Sequence, residues 1–380
     1  MSNEELRVAV VGAGSWSQRA HIPGWQRDPR VQVAAVADLS AEAAGRAAAE
    51  FGITRAVTDY RELLDDPSID VIDVATGNEA HFQISWDALE AGKHVLCEKP
   101  VHRDARQTKR AAEFAAAKGL KTKLGFTFRY APAVIYAKQL IDSGFIGEPY
   151  MFNGFEQNSQ WLDPATPLRQ VAPGTDPDQI AVSSIEGYGA PIIDIMHWWL
   201  DAPLTSVVGT MRNFVPRRVL RDTGQLTRVN IDDGDMWIAE FGSGAIASIQ
   251  SSYVTVGNYP GIEARIYGSQ GAIIIRLVDE AGICQTIKTA RKDAVEFTEL
   301  AIPDRFFPPG GSSTEPWEFL FYSNLISDFT SEIIGGGPSQ GDFAQGALVQ
   351  ETINAFEASF RARALVGFPL AASGGVPVEN

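Results

Sequence analysis

Cysteine is almost absent from this chain, with only Cys97 and Cys284 among 380 residues. Two cysteines build neither a disulfide framework nor a zinc cluster. Histidine is scarce as well: His21, His81, His94, His102 and His197 lack the paired spacing of a metal site, so no metal is expected. No run of about 18 apolar residues exists to cross a membrane. The opening MSNEELRVAV has no basic stretch followed by an apolar core, so it is not a secretory signal, and a cytoplasmic location is expected. Positive charge is in short supply: 32 Lys and Arg face 47 Asp and Glu, for a net charge of -15. Such a surface repels phosphate backbones and anionic lipid, which argues against nucleic acid or membrane as a partner.

The chain does have length and a globular balance, with 45% hydrophobic and 21% charged residues. It exceeds the size at which one core usually keeps growing, so two domains are expected. Up to Phe126, β-branched runs at 7–11, 31–37, 71–75, 94–97 and 121–126 alternate with helical patterns at 41–51, 81–91 and 104–118. That alternation predicts a doubly wound α/β domain, its parallel sheet covered on both faces. Beyond Phe126 a helix at 132–143 leads into strand-like segments at 204–212, 235–241, 245–253, 263–267 and 272–276. Glycine turns join several of them, which predicts an α+β domain with an open, mostly antiparallel sheet. Helical patterns at 317–334 and 342–364 follow. The Pro-, Asp- and Gln-rich stretch 160–184 reads as a functional or mobile loop.

Gly12-Ala13-Gly14-Ser15-Trp16-Ser17 directly follows the first strand. Gly12 permits the tight turn and Gly14 lets the backbone approach a pyrophosphate at a helix start, while Ser17 stands at the third glycine position. Asp38 ends the second strand, where a carboxylate accepts hydrogen bonds from the adenosine ribose and repels a 2′-phosphate. Leu39-Ser40 supplies no arginine, so the motif reads as NAD-binding rather than NADP-binding. A glycine turn that binds nothing, or another nucleotide, is the competing reading.

Further segments carry a family resemblance. Glu90-Ala91-Gly92-Lys93-His94-Val95-Leu96-Cys97-Glu98-Lys99-Pro100 resembles the signature of the glucose–fructose oxidoreductase, inositol dehydrogenase and rhizopine catabolism (Gfo/Idh/MocA) family. Ala75-Thr76-Gly77-Asn78 with His81 is similar to its Ala-Thr-Pro-Asn-x-x-His turn, with glycine for proline. Gly125-Phe126 with Arg129-Tyr130, Leu140-Ile141-Asp142-Ser143-Gly144, Phe241-Gly242-Ser243-Gly244-Ala245 and Tyr267-Gly268 agree in order. The resemblance implies an NAD-binding Rossmann domain over 1–126. A substrate-binding and oligomerisation domain would follow over 127–380, with C-terminal helices free to pack back on the first. It implies a site in the cleft between them, a carbohydrate or cyclitol substrate, and a homo-dimer or homo-tetramer. The implied cofactor contacts are Gly12, Gly14, Ser15, Trp16, Asp38, Thr76, Asn78, His81, Glu98 and Lys99.

By the same resemblance Lys99 touches both the nicotinamide ribose and the substrate hydroxyl. Oxidising an alcohol removes a hydride from carbon and a proton from oxygen. A cation beside that oxygen stabilises the developing alkoxide, and a lysine can also take the proton. The family's second motif, with an aspartate and a proton-relaying histidine, is altered here. Aligning Ile193-Asp194 and the downstream 200–203 puts Gly187 at the aspartate position and Pro191 at the histidine position, and Asp194 alone keeps its counterpart. Tyr188, Glu186 and Tyr130 are the remaining candidate proton carriers, with Tyr188 and Asp194 assigned to catalysis beside Lys99. His197 precedes Trp198-Trp199 and reads as a core residue. Arg129, Gln157, Trp161 and Asp194 are assigned to the substrate, since tryptophan offers a flat apolar face to a sugar ring and glutamine paired donors and acceptors. Arg217, Arg218 and Arg221 read as a solvated face. The expected activity is NAD-dependent oxidation of a secondary hydroxyl. A redox-neutral glycosidase or lyase that uses NAD transiently, and a non-catalytic dinucleotide sensor, stay open.

Overall fold

In the computed structural model, which describes residues 5–168, 180–221, 223–256, 261–277 and 285–370, the chain divides into two compact units. One comprises Met1–Ala131 with Phe307–Gln350, the other Pro132–Phe306 with Glu351–Asn380. Cys284 and positions 169–179 of the long loop lie outside the described residues.

The first unit is built on β1 (Leu6–Val11), β2 (Val31–Ala37), β3 (Arg55–Val57), β4 (Val71–Val74), β5 (His94–Cys97) and β6 (Thr122–Leu124). They form a parallel sheet in the order β3-β2-β1-β4-β5-β6. Every residue of β4 is buried, as expected where helices cover both faces. The connecting helices are α1 (Ile22–Arg27), α2 (Ala41–Phe51), α3 (Arg61–Leu64), α4 (Asn78–Glu90) and α5 (Ala105–Ala117). Side chains set two of the starts: Ser40 accepts the Ala43 N–H at 3.2 Å and Asp104 accepts the Arg106 N–H at 3.0 Å. The winding reverses between β1 and β4, the switch point at which open α/β sheets bind ligands. The periodicity left 17–27 without a helix because Pro23 and Gly24 are weak formers. The chain nevertheless turns helical there, a π-type turn over Ser17–His21 running into α1.

In the second unit α6 (Pro132–Asp142) precedes β7 (Pro149–Gln157), and α7 (Ala190–Leu200) precedes β8 (Leu204–Arg212). A two-stranded ribbon, β9 (Arg217–Val219) with β10 (Leu226–Arg228), follows. Then come β11 (Gly234–Phe241), β12 (Ile246–Ser252), β13 (Gly261–Gly268), β14 (Gly271–Leu277), β15 (Gln285–Arg291) and β16 (Thr298–Glu299), with β17 (Val366–Gly367) near the end. Apart from the ribbon, these strands form one sheet ordered β16-β15-β14-β13-β7-β12-β11-β8-β17. Its pairings are antiparallel except β12 with β7. The sequence reading omitted β7, although it is a central strand, because Pro149 and Gly154 interrupt the β pattern. In β11, buried and exposed residues alternate, so one face of the sheet is covered and the other open.

α8 (Trp317–Gly335) belongs to the first unit, where Tyr322, Leu325, Ile326 and Phe329 share a core with Val8, Val10, Ile22 and Trp25. α9 (Phe343–Ala362) starts in the first unit and ends in the second. No helix among the described residues is long and apolar enough to cross a membrane.

Candidate functional site

In the first unit the predicted cofactor residues gather at the C-terminal ends of β1, β2, β4 and β5, on both sides of the switch point. Gly12 has φ +109°. A Cβ there would come within 2.5 Å of the Ala75 carbonyl oxygen, so only glycine lets β1 turn this close to β4. Gly14 has nothing within 4 Å of where a Cβ would stand, and it is exposed with Ser15 at the start of the π-type turn. Open space before a helical start, with N–H groups facing outward, is what a pyrophosphate requires. The Asp38 carboxylate accepts the Ala13 N–H at 2.9 Å and the Ser40 N–H at 2.9 Å, which aims it beside the glycine turn. These residues fit a dinucleotide. Thr76 and Asn78 are half-buried, and Asn78 opens α4. His81 is buried, its Nδ1 2.8 Å from the Pro100 carbonyl oxygen and its Nε2 3.1 Å from that of Thr76. Both ring nitrogens therefore face main chain, tying the turn after β4 to the segment after Lys99.

Beneath Lys99 lies a cluster that the sequence reading did not assemble. His21 is fully buried, its Nδ1 2.9 Å from Asp73 Oδ2 and its Nε2 3.2 Å from Glu98 Oε1. Asp73 also accepts the Trp25 Nε1–H at 2.7 Å. Glu98 Oε1 accepts from the Trp16 indole at 3.1 Å and from the Tyr322 hydroxyl, and Oε2 accepts the Lys99 N–H at 3.3 Å. Burial pulls the His21 pKa down, but the Asp73 and Glu98 carboxylates outweigh it and raise it to about 10. Burial pushes Glu98 up, yet His21, Tyr322 and Lys99 together hold it at about 2. Trp16, a predicted cofactor contact, packs 5.6 Å from Trp317 and 5.6 Å from Tyr322, ring centre to ring centre. Arg129 is buried, and Tyr130 is buried with its hydroxyl donating to the Gln340 carbonyl at 3.2 Å.

The second unit gathers a different group. The chain leaving β7 runs along the end of β12, where the Trp161 N–H donates to the Tyr253 carbonyl at 3.0 Å. The rings of Trp161, Tyr188 and Tyr253 form a triangle with centres 5.5 to 6.0 Å apart. The Tyr188 hydroxyl donates to Gln160 at 2.7 Å, and Gln157 reaches Gln250 at 3.5 Å. Tyr188 comes from a second π-type turn, Ile185–Gly189, and such turns recur at functional sites. Pro191 does occupy the first turn of α7. Asp194 is fully enclosed, Glu186 is buried, and His197 is buried with Nε2 2.9 Å from the Thr352 hydroxyl.

Carboxylates crowd the start of β11. Asp232 accepts N–H bonds from Ser183, Ser184 and Ile185, which anchors the turn that carries Tyr188. Burial, with the charge of Asp233 added, raises Asp232 above the usual carboxylate range. Asp235, bonded to Ser251, is raised well above that range too, by burial and by Asp232. Of the three arginines expected on a solvated face, Arg218 is instead completely buried. Its guanidinium lies 3.0 Å from Asp233 and 5.5 Å from the centre of the Tyr253 ring. A buried carboxylate needs such a cation, and the local sequence does not reveal that demand.

Comparison with known proteins agrees with this geometry. Residues 6–126 match the family model described as "Oxidoreductase family, NAD-binding Rossmann fold", and residues 134–274 match the GFO/IDH/MocA C-terminal domain. A scyllo-inositol 2-dehydrogenase (NAD(+)) of Bacillus subtilis is 30% identical, the match covering 71% of this chain and 74% of the relative. A levoglucosan dehydrogenase of Pseudarthrobacter phenanthrenivorans is 29% identical, with 71% and 73% covered. Among solved structures, an NAD binding oxidoreductase from Klebsiella pneumoniae superposes with a TM-score of 0.85 at 26% identity, over 96% of this chain and 99% of that one. A levoglucosan dehydrogenase in complex with NADH gives 0.81 at 26% identity, with the same coverage.

Proposed function

The chain belongs to the GFO/IDH/MocA oxidoreductase family, with an NAD-binding Rossmann fold at its N-terminus, and on that premise we propose that it oxidises a secondary hydroxyl of a sugar or cyclitol, with Lys99 at the reacting oxygen. The observation that carries the reading is the place of Lys99. It follows β5 on the ligand-binding edge of the sheet, its main chain held by a half-buried, ionised Glu98. Similarity to dehydrogenases of levoglucosan and of scyllo-inositol supports the substrate class.

When bound, NAD supplies the hydride acceptor. The glycine turn at Gly12 and Gly14, opening at Ser15, receives its pyrophosphate, and Asp38 takes the adenosine ribose and disfavours a 2′-phosphate. Thr76 and Asn78 line the nicotinamide side, and His81 keeps their turn in register with Lys99. The Lys99 ammonium stabilises charge on the substrate oxygen as its proton leaves. On the second unit, Trp161 offers a ring face to the sugar, Gln157 offers a donor, and the Tyr188 hydroxyl moves the proton in place of the histidine that Pro191 replaces; Arg129, a residue of the first unit, offers further donors. Asp194, being enclosed, supports that helix from within. The open sheet face, where Met151, Met236, Ile238 and Ile246 are exposed, suits pairing with a second copy of the chain.

The test is incubation with NAD and a panel of levoglucosan, inositols, aldoses and aryl glycosides, following NADH absorbance and released aglycone together. The reading expects NADH in step with substrate loss. Aglycone release that requires NAD and leaves no NADH would replace it with the redox-neutral glycosidase.

A further inference from the structure

We infer that His21 is a positioning residue for Lys99: an imidazolium wedged between Asp73 and Glu98, it seats the Glu98 carboxylate against the Lys99 main chain. The inference rests on the reading that Lys99 serves the reaction.

Hydrogen-bond chemistry requires the charge. Both ring nitrogens of His21 face carboxylate oxygens, at 2.9 Å and 3.2 Å, and an ionised carboxylate only accepts; the Tyr322 hydroxyl, also 3.2 Å from Nε2, gives its own proton to Glu98 and so does not serve a neutral Nε2. No neutral tautomer donates from both nitrogens, whereas the imidazolium does. Charge balance requires it too. Asp73 and Glu98 carry two negative charges, and with Lys99 and a protonated His21 the group sums to zero. A neutral ring would leave one buried negative charge without compensation.

The packing leaves the carboxylate one seat. A Cβ on Gly125 would stand 2.6 Å from Glu98 Oε1 and 3.0 Å from Oε2, so the group is pressed against bare backbone on that side. Trp16 from the glycine turn, Tyr322 from α8 and His21 from the π-type turn hold Oε1, which leaves Oε2 for the Lys99 N–H. Cys97, buried one residue before Glu98, and the Tyr322 phenol are titratable neighbours, and burial keeps both neutral by raising their pKa. Asp73 reaches Glu98 only through His21. Without the imidazolium, burial favours the protonated Glu98, which turns one oxygen into a donor and loosens the seat.

Two measurements test this. Nitrogen-15 NMR of the histidine rings in the wild-type protein, with His21 assigned from its loss in His21→Gln, should show both nitrogens protonated from pH 5 to pH 9. A neutral ring at pH 7 would overturn the inference. In His21→Gln, kcat should fall at least tenfold with KM nearly unchanged. The acid limb of the kcat profile should move up by a unit or more as Glu98 becomes protonatable. A histidine that merely fills space would lower the melting temperature and leave that limb in place, and this result would also overturn the inference. If the wild type oxidises nothing in the panel, the functional reading falls. The ring spectrum and the pH dependence of NADH binding, flat in wild type and weakening in acid in His21→Gln, still decide the role of His21.

Discussion

Each unit encloses carboxylates, and Glu98 of the first titrates in the opposite direction to Asp232 and Asp235 of the second. In the first unit Glu98 and Asp73 share the His21 ring, and Glu98 is held at about 2. In the second, Asp232 and Asp235 lie close together while the nearby cation, Arg218, pairs with Asp233, and both are raised. Burial pushes Glu98, Asp232 and Asp235 alike upward. What separates them is whether a cation shares the enclosure. The first arrangement is a fixed ionic cluster suited to orienting a catalytic side chain. The second is a hydrogen-bonded anchor for the turn that carries Tyr188.

Breaking the ionic cluster at its open end should have the largest effect. Lys99→Ala is expected to cost about 10³-fold or more in turnover, with NADH binding still measurable by quenching of tryptophan fluorescence. Turnover within tenfold of wild type would place the reacting hydroxyl elsewhere. Next comes the cation of the second unit. Arg218→Ala leaves Asp233 buried without its partner, and urea unfolding should show a loss of about 3–5 kcal/mol. Asp38 stands outside both groups, half-exposed and held by two N–H bonds. Asp38→Ala should weaken NAD binding about tenfold, a change of about 1.4 kcal/mol, and leave NADP binding nearly unchanged. Equal losses for both would remove the ribose from its role.

The last prediction, and the sharpest in its sign, concerns Asp235. The folded state holds a proton here that the unfolded chain releases above the ordinary value of 3.8. Stability from this group is therefore present in acid and lost as pH rises toward neutrality. Asp235→Asn should flatten that decline, so that the variant gains stability relative to wild type as pH rises toward neutrality. Glu98 of the first unit runs the other way, whereas His21 shares the direction of Asp235. The contribution of Glu98 is present above 4.5 and lost as pH falls toward 2. That of His21 is complete below 6.5 and lost as pH rises through 10. Melting curves of wild type and Asp235→Asn from pH 4 to pH 8 separate the two trends.

The parallel sheet of the first unit was legible because local pattern suffices there: short β-branched runs, helices between them, and a glycine turn directly after a strand. The His21 cluster was not. Tyr322 lies 301 residues from His21 in the chain, and no spacing rule joins them. Asp73 did leave a trace, as the one acid in the Val71–Val74 run that must be buried on both faces, since a carboxylate in such a strand demands a cation. In the second unit the missing histidine at Pro191 was readable, and Pro191 does open α7. The aromatic triangle was half-readable: Trp161 and Tyr188 drew attention, while Tyr253 looked like one more strand residue until the β12 end met the 158–161 segment. Arg218 was misread because its partner depends on how the ribbon folds over Asp233.

The most direct test of the central claim is the fate of the hydrogen on the reacting carbon. With the sugar or cyclitol deuterated at that carbon, mass spectrometry of the cofactor should find one deuterium in NADH for each molecule oxidised. Deuterium retained in the product, with no NADH formed, would contradict net oxidation at Lys99.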